Sequence, residues 1–410
     1  MKALLFHSRL ALVAGLLTFA ATAQAQINAE NGAHTITTAV PILTLSPDAR
    51  AAALGEAGVA TSPDANSAYF NPGKLGFVPY KFAFSASYSP WLRAITDDMS
   101  LSYLSGYGKI GKRSAIGGSL MYFDLGSINY TTASNQPYGT FSPKEYAATV
   151  SYGQQLTDNF GVGISARYVR SNLVGAINGN DAQPGNAAAV DLGAYYSKDA
   201  TIGTGLYNLS FGASILNIGN KITYTDPKNP SFLPTSLKLG TAITREIDQY
   251  NKITLMFDAT KLLVPSPYYV DGAPANDPAV KAENDRRNQM NIVSGILNSF
   301  SDAPGGFKEE LREINLSTGL EYNYNDLLFA RGGYFYEAPD KGGRQYVSLG
   351  LGVRYQVFGI DGAYLVPTGN NQNNPLAQTI RVSLHFNLNK LSDAFDENGA
   401  GGTSGTPPTN

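Results

Sequence analysis

The sequence predicts an all-β fold, a transmembrane antiparallel β-barrel of about fourteen strands with an N-terminal hatch inside the lumen. Charged residues make up only 15% of the 410 residues, well below the roughly 25% that is usual in soluble domains. Successive segments of about ten residues alternate apolar side chains with small or polar ones, as barrel strands do. The connections between those segments alternate in length, as they do at the two rims of an outer-membrane barrel.

Residues 1–25 have the three parts of a secretory signal peptide. Lys2 and Arg9 supply positive charge, Leu10 to Ala20 is apolar, and Ala23-Gln24-Ala25 is a small-residue cleavage site. The apolar run is too short to span a bilayer, so we expect cleavage after Ala25 rather than an anchor. No later stretch reaches eighteen apolar residues, so a membrane-embedded mature chain would have to cross as strands.

Residues 26–80 lack the alternation of a strand and are expected to form the hatch. Ser46-Pro47-Asp48 predicts the start of a helix, with a capping hydroxyl, an early proline and an acid near the positive helix end. Asn71-Pro72-Gly73 predicts a tight turn, which is either a hatch element that gates passage or a purely structural feature. An empty fourteen-strand lumen would leak, so a plug is expected inside it.

The barrel is predicted over residues 81–389. Its last strand shows the pattern clearly, because from Ile380 to Asn387 every even-numbered residue is apolar and every odd-numbered residue is polar. Fourteen segments fit this pattern: 81–89, 98–108, 114–129, 143–156, 160–172, 187–198, 206–217, 235–247, 251–261, 313–324, 326–337, 344–356, 357–366 and 378–389.

The connections orient the predicted barrel. They are short after even-numbered strands and mostly long after odd-numbered ones, and the longest, residues 262–312, is predicted to be an extracellular loop with a helical segment. Because periplasmic turns are short and external loops long, both termini are expected in the periplasm. Residues 390–410, rich in Gly, Ser, Thr and Pro after Asp396, predict a disordered periplasmic tail.

Nothing in the composition points to an enzyme, a cofactor or a metal site. The chain has no Cys and only three His, which removes disulfides and thiolate chemistry and leaves a poor start for a metal centre. Gly106 to Gly111 fits G-x-G-x-x-G, but a new strand pattern starts at Ser114, so we interpret it as a hairpin. No G-x-S-x-G occurs, and a net charge of −2 does not favour a nucleic-acid partner.

Charged and polar residues on the predicted lumenal faces form a second candidate site. They either line a polar path or contact a ligand, or they form ion pairs that fill the barrel and hold the plug. We favour ion pairing, because a charge facing lipid costs roughly 2–4 kcal/mol at the midplane and is driven inward in any case. The residues are Arg167, Asp191, Lys238, Asp258, Glu321, Arg354, Asp361, Arg381 and His385.

The long external loop carries apolar residues at helical spacing. Such a helix could cap the mouth of the barrel, or it could present an apolar face to a partner protein. The candidate partner-binding residues are Ile292, Val293, Ile296, Leu297 and Phe300.

The run LSPDARAAALGEAGVATSPDANSAYFNPGKLG, residues 45–76, resembles the hatch of the FadL-type outer-membrane transporters. More closely, it resembles the PorV-like barrels of the type IX secretion system of Bacteroidetes-type bacteria, a group that includes PorQ. The tract from Ser89 to Thr132 continues that resemblance, which covers the whole mature chain.

The resemblance implies an outer-membrane role in protein export. Its members are expected to bind secreted substrates bearing the type IX C-terminal signal domain at the translocon. They then shuttle these substrates to an attachment complex that contains the PorU sortase, without cleaving anything themselves. Two other functions remain open: a FadL-like channel for fatty acids or other hydrophobic small molecules, and a structural barrel with no transport role.

Overall fold

The computed structural model of the chain describes residues 34–92, 96–131, 134–173, 183–224, 230–274, 276–368 and 379–389. The predicted signal peptide, residues 1–25, and the predicted tail, residues 390–410, lie outside the described residues.

A short irregular segment precedes the first strand. It contains a 3₁₀ turn (Pro41–Thr44), helix α1 (Ala49–Ala53), helix α2 (Ser67–Phe70) and a second 3₁₀ turn (Pro72–Phe77). Helix α1 starts at the predicted place, but the capping side chain is that of Asp48, which accepts a hydrogen bond from Ala51 N at 2.9 Å. The hydroxyl of Ser46 is therefore not the cap, since Ser46 lies two residues before the capping position.

Fourteen antiparallel strands close into one barrel, in which β1 pairs with both β2 and β16. The predicted fold class and strand number are therefore confirmed. The strands are β1 (Phe82–Pro90), β2 (Met99–Lys109), β3 (Ser114–Leu125), β4 (Ile128–Thr131), β5 (Pro137–Phe141), β6 (Lys144–Gln155), β7 (Phe160–Asn172), β8 (Gly185–Ile202), β9 (Gly205–Gly219), β10 (Ser236–Glu246), β11 (Asn251–Leu262), β12 (Ile314–Tyr324), β13 (Leu328–Tyr336), β14 (Gln345–Tyr355), β15 (Phe358–Pro367) and β16 (Ile380–Leu388). Strands β4 and β5 form a separate hairpin.

Two strand ends differ from the predicted ones by four residues, and the other ends differ by two residues or fewer. Strand β3 ends at Leu125 rather than near 129, because Gly126 adopts a φ of 76° and the chain then enters the β4–β5 hairpin. Strand β8 continues to Ile202 rather than 198, because its pairing with β9 persists up to the tight turn at Gly203, where φ is 63°. In both cases a glycine in the left-handed region sets the end of the strand.

The two faces of the wall differ as the alternation predicts. On β14, Leu349 and Leu351 point outward and are 57% and 71% exposed, whereas Ser348, which precedes Leu349, is fully buried. In a membrane protein, exposed apolar residues of this kind face the lipid. None of the helices in the described ranges is long and apolar enough to cross a bilayer.

The barrel has two unlike rims. One, the short-turn rim, carries tight connections such as those between β8 and β9 and between β14 and β15. The other, the long-loop rim, carries the β4–β5 hairpin and the connection between β11 and β12. That last connection, the external loop, folds into helices α3 (Pro278–Gln289), α4 (Ile292–Asn298) and α5 (Phe307–Arg312).

The segment before β1 runs through the barrel from one rim to the other. His34 N donates to Asp340 O at 2.8 Å, and Ala39 N donates to Phe232 O at 2.8 Å, both acceptors being in connections of the long-loop rim. The turn at residues 72–77 instead packs on β6, β7 and β8, and leads to β1 at the short-turn rim. We call residues 39–78 the lumenal segment.

Both termini, which are expected in the periplasm, lie outside the described residues, so that expectation stays a prediction. His34 lies at the long-loop rim, although β1 starts at the opposite one. The lumenal segment therefore crosses the height of the barrel between the two rims. The last strand ends at the short-turn rim, where Leu388 pairs with Phe82.

Candidate functional site

The lumen is the first candidate site, and Asp258 on β11 shows how it is filled. Its Oδ2 atom accepts hydrogen bonds from the consecutive backbone amides of Gly58 and Val59 at 2.7 and 2.9 Å. A buried backbone amide without a hydrogen-bond partner is costly, and Gly58 and Val59 lie outside regular secondary structure. The Asp258 carboxylate supplies the partner for both amides. Lys238 is half-buried on the lumenal face of the neighbouring strand β10.

Two serines of the barrel wall likewise accept hydrogen bonds from backbone amides, one at the start of helix α1 and one just after its end. Ala49 N donates to Ser383 Oγ at 2.9 Å, and Gly55 N donates to Ser348 Oγ at 3.0 Å. Neither serine was predicted as a site residue. The only signal in the sequence is a small polar residue at an inward position, which many barrel positions share.

The predicted turn Asn71-Pro72-Gly73 lies deep in the lumen and is held by side-chain hydrogen bonds. Asn71 is fully buried; its Oδ1 accepts from Gly73 N at 3.0 Å, and its Nδ2 donates to Ala194 O on β8 at 2.9 Å. The asparagine therefore closes the turn and joins it to the wall.

This turn packs against inward-facing glycines that lie beside one another on three strands. Gly153, Gly163 and Gly193 are paired in register across β6, β7 and β8. A Cβ atom on Gly163 would lie 2.6 Å from the backbone nitrogen of Gly73, and one on Gly193 would lie 2.7 Å from Pro72 Cδ. No other residue type fits at this approach. Sequence reasoning missed this glycine row, because the row exists only once the register is known.

A chain of ion pairs links the lumenal segment to the wall. Arg50 of α1 contacts Asp64 at 2.9 Å and Glu321 of β12 at 3.1 Å. Glu321 also contacts Arg331 of β13 at 2.7 Å, and Arg331 contacts Asp361 of β15 at 2.8 Å. Three of these five residues, Arg50, Asp64 and Arg331, were not among the predicted ones.

Two more predicted residues end this chain. Arg354 Nη2 lies 2.6 Å from Asp361 Oδ2, and His385 Nε2 lies 2.7 Å from the same oxygen. Apart from His385, the network contains three carboxylates and three guanidinium groups, whose charges balance. Balanced, mutually bonded charges are what an ion-paired plug requires, and they leave no excess charge to attract a ligand.

The remaining predicted pair, Arg167 and Asp191, supports an irregularity of the wall. Arg167 Nη2 lies 2.9 Å from Asp191 Oδ2, and Asp191 Oδ1 accepts from Asn217 N at 2.6 Å. Asn217 has a φ of 60°, and the pairing of β8 with β9 shifts register between Val190 and Leu192. The pair therefore satisfies the polar groups that this β-bulge leaves unpaired.

Arg381 of β16 holds the first part of the lumenal segment. It is 2% exposed and donates from Nη1 to the backbone oxygen of Ser46, with Glu56 Oε1 at 3.3 Å. The same carboxylate accepts from Ser46 N at 2.7 Å. Arginine, glutamate and backbone thus fix the residues that precede α1.

The interior of the plug is tightly filled where these groups meet. A cavity lined by Asp48, Arg50, Asp64 and Lys74 has a volume of about 10 Å³, at the lower limit of what a single water molecule needs. Lys74 is buried there and donates to Gly58 O at 2.9 Å. Within the described ranges, no cluster of His, Asp and Glu is placed to hold a metal ion.

The external loop rests on a buried ion cluster of its own at the long-loop rim. Lys261 Nζ lies 2.8 Å from Glu310 and 2.7 Å from Glu313, while Lys341 contacts Glu309 and lies 3.0 Å from Glu313. Burial raises the pKa of Glu309, but the hydrogen bond from Lys341 and other contacts outweigh it and bring the pKa below its ordinary value. The cluster joins α5 to β11 and to the connection after β13.

The predicted apolar residues on α4 and just after it divide between two environments. Ile292 and Ile296 are half-buried against the loop, whereas Val293 and Leu297 are each 66% exposed and Phe300 is 50% exposed. The spacing of the last three places them on one side of the helix.

Helix α5 adds further exposed apolar surface. Phe307 is 77% exposed and Leu311, four residues later, is 52% exposed. Together with Val293, Leu297 and Phe300, these residues form what we call the apolar loop face.

A closed barrel with an apolar outer surface, a filled lumen and a structured loop that exposes apolar residues defines a plugged transmembrane β-barrel. A profile of the family described as type IX secretion system protein PorV matches residues 27–269. The chain therefore belongs to the PorV family and is an outer-membrane protein of the type IX secretion system.

Solved barrels resemble the chain at low identity. The toluene transporter TodX of Pseudomonas putida is 12% identical, with 88% of this chain and 100% of that chain covered and a TM-score of 0.47. The toluene transporter TbuX of Ralstonia pickettii is 11% identical, covering 84% and 98%, with a TM-score of 0.42. A FadL homologue of Pseudomonas aeruginosa is 12% identical, covering 87% and 100%, with a TM-score of 0.42. No curated protein sequence matches the chain.

Proposed function

We propose that this protein binds secreted substrates bearing the type IX C-terminal signal domain at the translocon and carries them to the surface attachment complex that contains the PorU sortase. The observation that carries the docking part of this proposal is the apolar loop face. Five large apolar side chains at half exposure or more lie on two short helices of one loop or just after the first of them. An exposed apolar surface in water is typical of a protein-binding site.

The base of the loop favours binding through a preformed surface. The ion cluster around Lys261 and Lys341 fixes α5 to the wall beneath it. A rigid surface loses less conformational entropy on binding than a disordered one. The lipid-facing residues of the strands are covered by membrane, whereas the apolar loop face lies on a connection outside the strands and stays accessible to water.

The filled lumen supports carriage of the substrate outside the barrel rather than through it. The lumenal segment is tied to β8, β11, β12, β14 and β16 by hydrogen bonds and ion pairs. A substrate domain could pass only if most of these bonds broke together. We therefore propose that the barrel neither conducts nor cleaves the substrate and that processing belongs to the sortase.

The proposed route to the membrane follows the usual export path. Residues 1–25 act as the signal peptide, with cleavage after Ala25. We divide the mature chain into a hatch (26–80), a barrel (81–389) that contains the external loop (262–312), and a periplasmic tail (390–410). The long-loop rim then faces the cell exterior, where the attachment complex works.

The test replaces Val293 and Leu297 by Asp in the full chain, expressed in its own host. Ile128→Asp is the matched control, because Ile128 is also exposed, at 46%, but lies on the β4–β5 hairpin. We expect the double variant to reach the outer membrane in normal amount, while substrate recovered with the barrel falls at least tenfold. The control should behave as the unsubstituted protein does.

Two results would overturn the proposal. One is normal processing and attachment of C-terminal-domain proteins in cells that lack the chain. The other is unchanged substrate recovery with the double variant, which would move the docking surface elsewhere. If deletion instead abolished uptake of a fatty acid and left surface attachment intact, the FadL-like channel would be the better account.

A further inference from the structure

The short-turn rim carries a cluster of cations where β1, β2 and β3 begin or end. Lys81 immediately precedes β1, Lys109 is the last residue of β2, and Lys112 and Arg113 lie in the turn between β2 and β3. Lys109 is half-buried, and the other three side chains are exposed. We call Lys81, Lys109 and Lys112 the rim lysines.

Two of the rim lysines lie directly opposite each other. The pairing of β1 with β2 continues one residue beyond Phe82, because Lys109 N donates a hydrogen bond to Lys81 O at 2.8 Å. Ala83 and Tyr107, each two residues along from one of these lysines, are buried and face inward. Both lysines therefore share the inward direction at the mouth of the barrel. Like charges directly opposite one another in a sheet are destabilising.

The neighbouring strands place no carboxylate opposite this lysine pair. On the β16 side, Asn389 directly follows the paired residue Leu388 and so lies opposite Lys81. On the β3 side, Ala115 lies opposite Lys109. None of the rim lysines forms an ion pair with a described residue. The repulsion between the two facing lysines is therefore not offset within the described wall.

One acid accompanies the cations in this sector of the rim. At the rim ends of β16, β1, β2, β3, β6 and β7, the described residues include the single carboxylate of Asp158, which pairs with Arg113. On the far side of the mouth, Asp326 has Lys252 at 3.8 Å. The sector from β16 to β7 thus holds three more cations than anions, and the excess is the rim lysines.

The chain leaves the barrel beside these lysines. β16 ends at Leu388, which pairs with Phe82, and Phe82 pairs in turn with Gly108 of β2. The exit therefore lies two strand spacings, roughly 10 Å, from the end of β2. Each extended residue beyond the exit spans up to about 3.3–3.6 Å, so residues 393–397 can reach all three rim lysines.

The stretch beyond the exit has the complementary charge. Residues 391–397 read LSDAFDE and contain the acids Asp393, Asp396 and Glu397, with Lys390 one residue before them. The three carboxylates match the three rim lysines in number. Because the stretch is tethered to the barrel, its effective concentration at the rim is about millimolar. Exposed ion pairs are individually weak, but at that concentration three of them on one segment act together.

We propose that residues 391–397 fold back onto the short-turn rim, where their three carboxylates bind the rim lysines. The contact offsets the repulsion between Lys81 and Lys109. It also lays the segment across the point where the lumenal segment leaves the lumen, since Lys81 is the last residue before β1. The segment thus straps the exit of the lumenal segment. The site is separate from the apolar loop face and does not depend on the proposed function.

The test measures a distance in the full-length mature barrel in detergent micelles. Because the sequence has no Cys, Gly111→Cys in the β2–β3 turn and Ala394→Cys beyond the exit give one pair of spin labels, read by double electron–electron resonance. The nearest atom to a Cβ at position 111 is Ser114 Oγ at 3.3 Å, a side-chain atom that can move aside. We expect one narrow population at short distance.

The charge variant Lys81→Gln/Lys109→Gln should lower this short-distance population about fivefold, and salt of about 1 M, where the screening length is about 3 Å, should do the same. Lys198→Gln/Lys252→Gln is the matched control. These two lysines lie at the same rim, on β8 and β11, away from the exit. The control should leave the distance distribution unchanged.

Exchanging the charges separates ion pairing from any other effect of the substitutions. Lys81→Glu/Lys109→Glu and Asp393→Lys/Asp396→Lys should each abolish the short distance, and the combination of all four changes should restore it. Resistance of each variant to unfolding in detergent at room temperature confirms that the barrel is closed.

The proposal is wrong if the unsubstituted barrel shows only a broad distribution, or if the charge variant and the control give the same distances. It is also wrong if the short distance persists in 1 M salt. Carbodiimide treatment of cells, which joins amines to carboxylates in contact, supplies the last arm. Crosslinks from the rim lysines to another protein, with none to residues 391–397, would overturn the proposal in favour of a partner at this rim.

Discussion

The lumenal segment and the external loop are both irregular, yet they treat their side chains in opposite ways. In the lumenal segment, Leu54 is fully buried, Lys74 is 1% exposed, and backbone amides are capped by side chains of the wall. In the external loop, the ion cluster is equally buried, but Leu297 and Phe307 remain 66% and 77% exposed.

This difference in side-chain exposure indicates a different role for each region. A segment whose polar groups bond to the surrounding wall and to one another has one favourable position, so it seals. A loop that is anchored at its base and apolar on its outer side keeps surface free for another molecule. The contrast therefore assigns closure of the barrel to the lumenal segment and partner recognition to the external loop. Each of the following changes tests one of these two roles.

The largest effect is expected from Glu321→Ala in the lumen. This change removes the carboxylate between Arg50 and Arg331, and both guanidinium groups stay buried. Breaking a buried ion pair by removing one partner costs about 3–5 kcal/mol. We expect the midpoint of urea-induced unfolding in micelles to fall accordingly.

The matched control for Glu321 is Glu246→Ala at the short-turn rim. Glu246 is partly exposed and its distance to Lys252 is 3.8 Å, so the loss should be about 0–1 kcal/mol. Equal losses for the two variants would mean that the lumenal network does not hold the segment in place.

A smaller effect is expected where the lumenal segment meets the glycine row. In Gly163→Ala the new methyl group would overlap the backbone of Pro72 and Gly73, so the turn must move away from the wall. Overpacking of this kind costs about 1–3 kcal/mol. We expect ion conductance of the barrel in planar bilayers to rise, because the displaced turn opens a path beside it.

Gly362→Ala is the control for the glycine row. Gly362 is also in a strand, but it faces outward and a Cβ atom there meets nothing within 4 Å. Its conductance should equal that of the unsubstituted barrel. If Gly163→Ala also leaves the conductance unchanged, the turn at residues 72–77 does not close this side of the lumen.

The alternation of residues was enough to predict most of the barrel, because side-chain direction in a strand has a period of two. The alternation assigned Glu321, Asp361 and Arg381 to the lumenal face, and all three are buried. The face that a strand residue takes depends only on its position within that strand. The alternation could not predict that Glu321 bonds to Arg50, a residue 271 positions away. That contact depends on the height at which the lumenal segment crosses the barrel.

The same limit explains the glycine row and the course of the chain through the lumen. Gly153, Gly163 and Gly193 form one surface only through the register of three strands, which no single strand encodes. The direction in which the lumenal segment crosses depends on contacts with loops at the far rim, such as that of His34 with Asp340. The residue pattern of a single strand contains no information on its register with other strands or on contacts at the far rim.

The smallest effect on global stability is expected at the base of the external loop, where pH is the variable. The pKa of Glu309 lies below its ordinary value, because Lys341 and other donors outweigh the effect of burial. A carboxyl group whose pKa is lowered by folding stabilises the folded loop above that ordinary value, and this contribution is lost as pH falls through the lowered pKa. We expect cleavage of the loop by an acid-tolerant protease to start only below about pH 4.3, while the barrel stays folded.

Lys341→Met should move this transition to higher pH. The hydrogen bond from the ammonium group is the strongest effect that lowers the pKa of Glu309. Without it, burial raises that pKa, and the loop loosens under milder acid. Lys308→Met is the control, because Lys308 is on the same helix but exposed to solvent. An unchanged cleavage profile for Lys341→Met would show that the loop is held by its apolar packing alone. The apolar loop face would then owe its position to Ile292 and Ile296 rather than to the ion cluster.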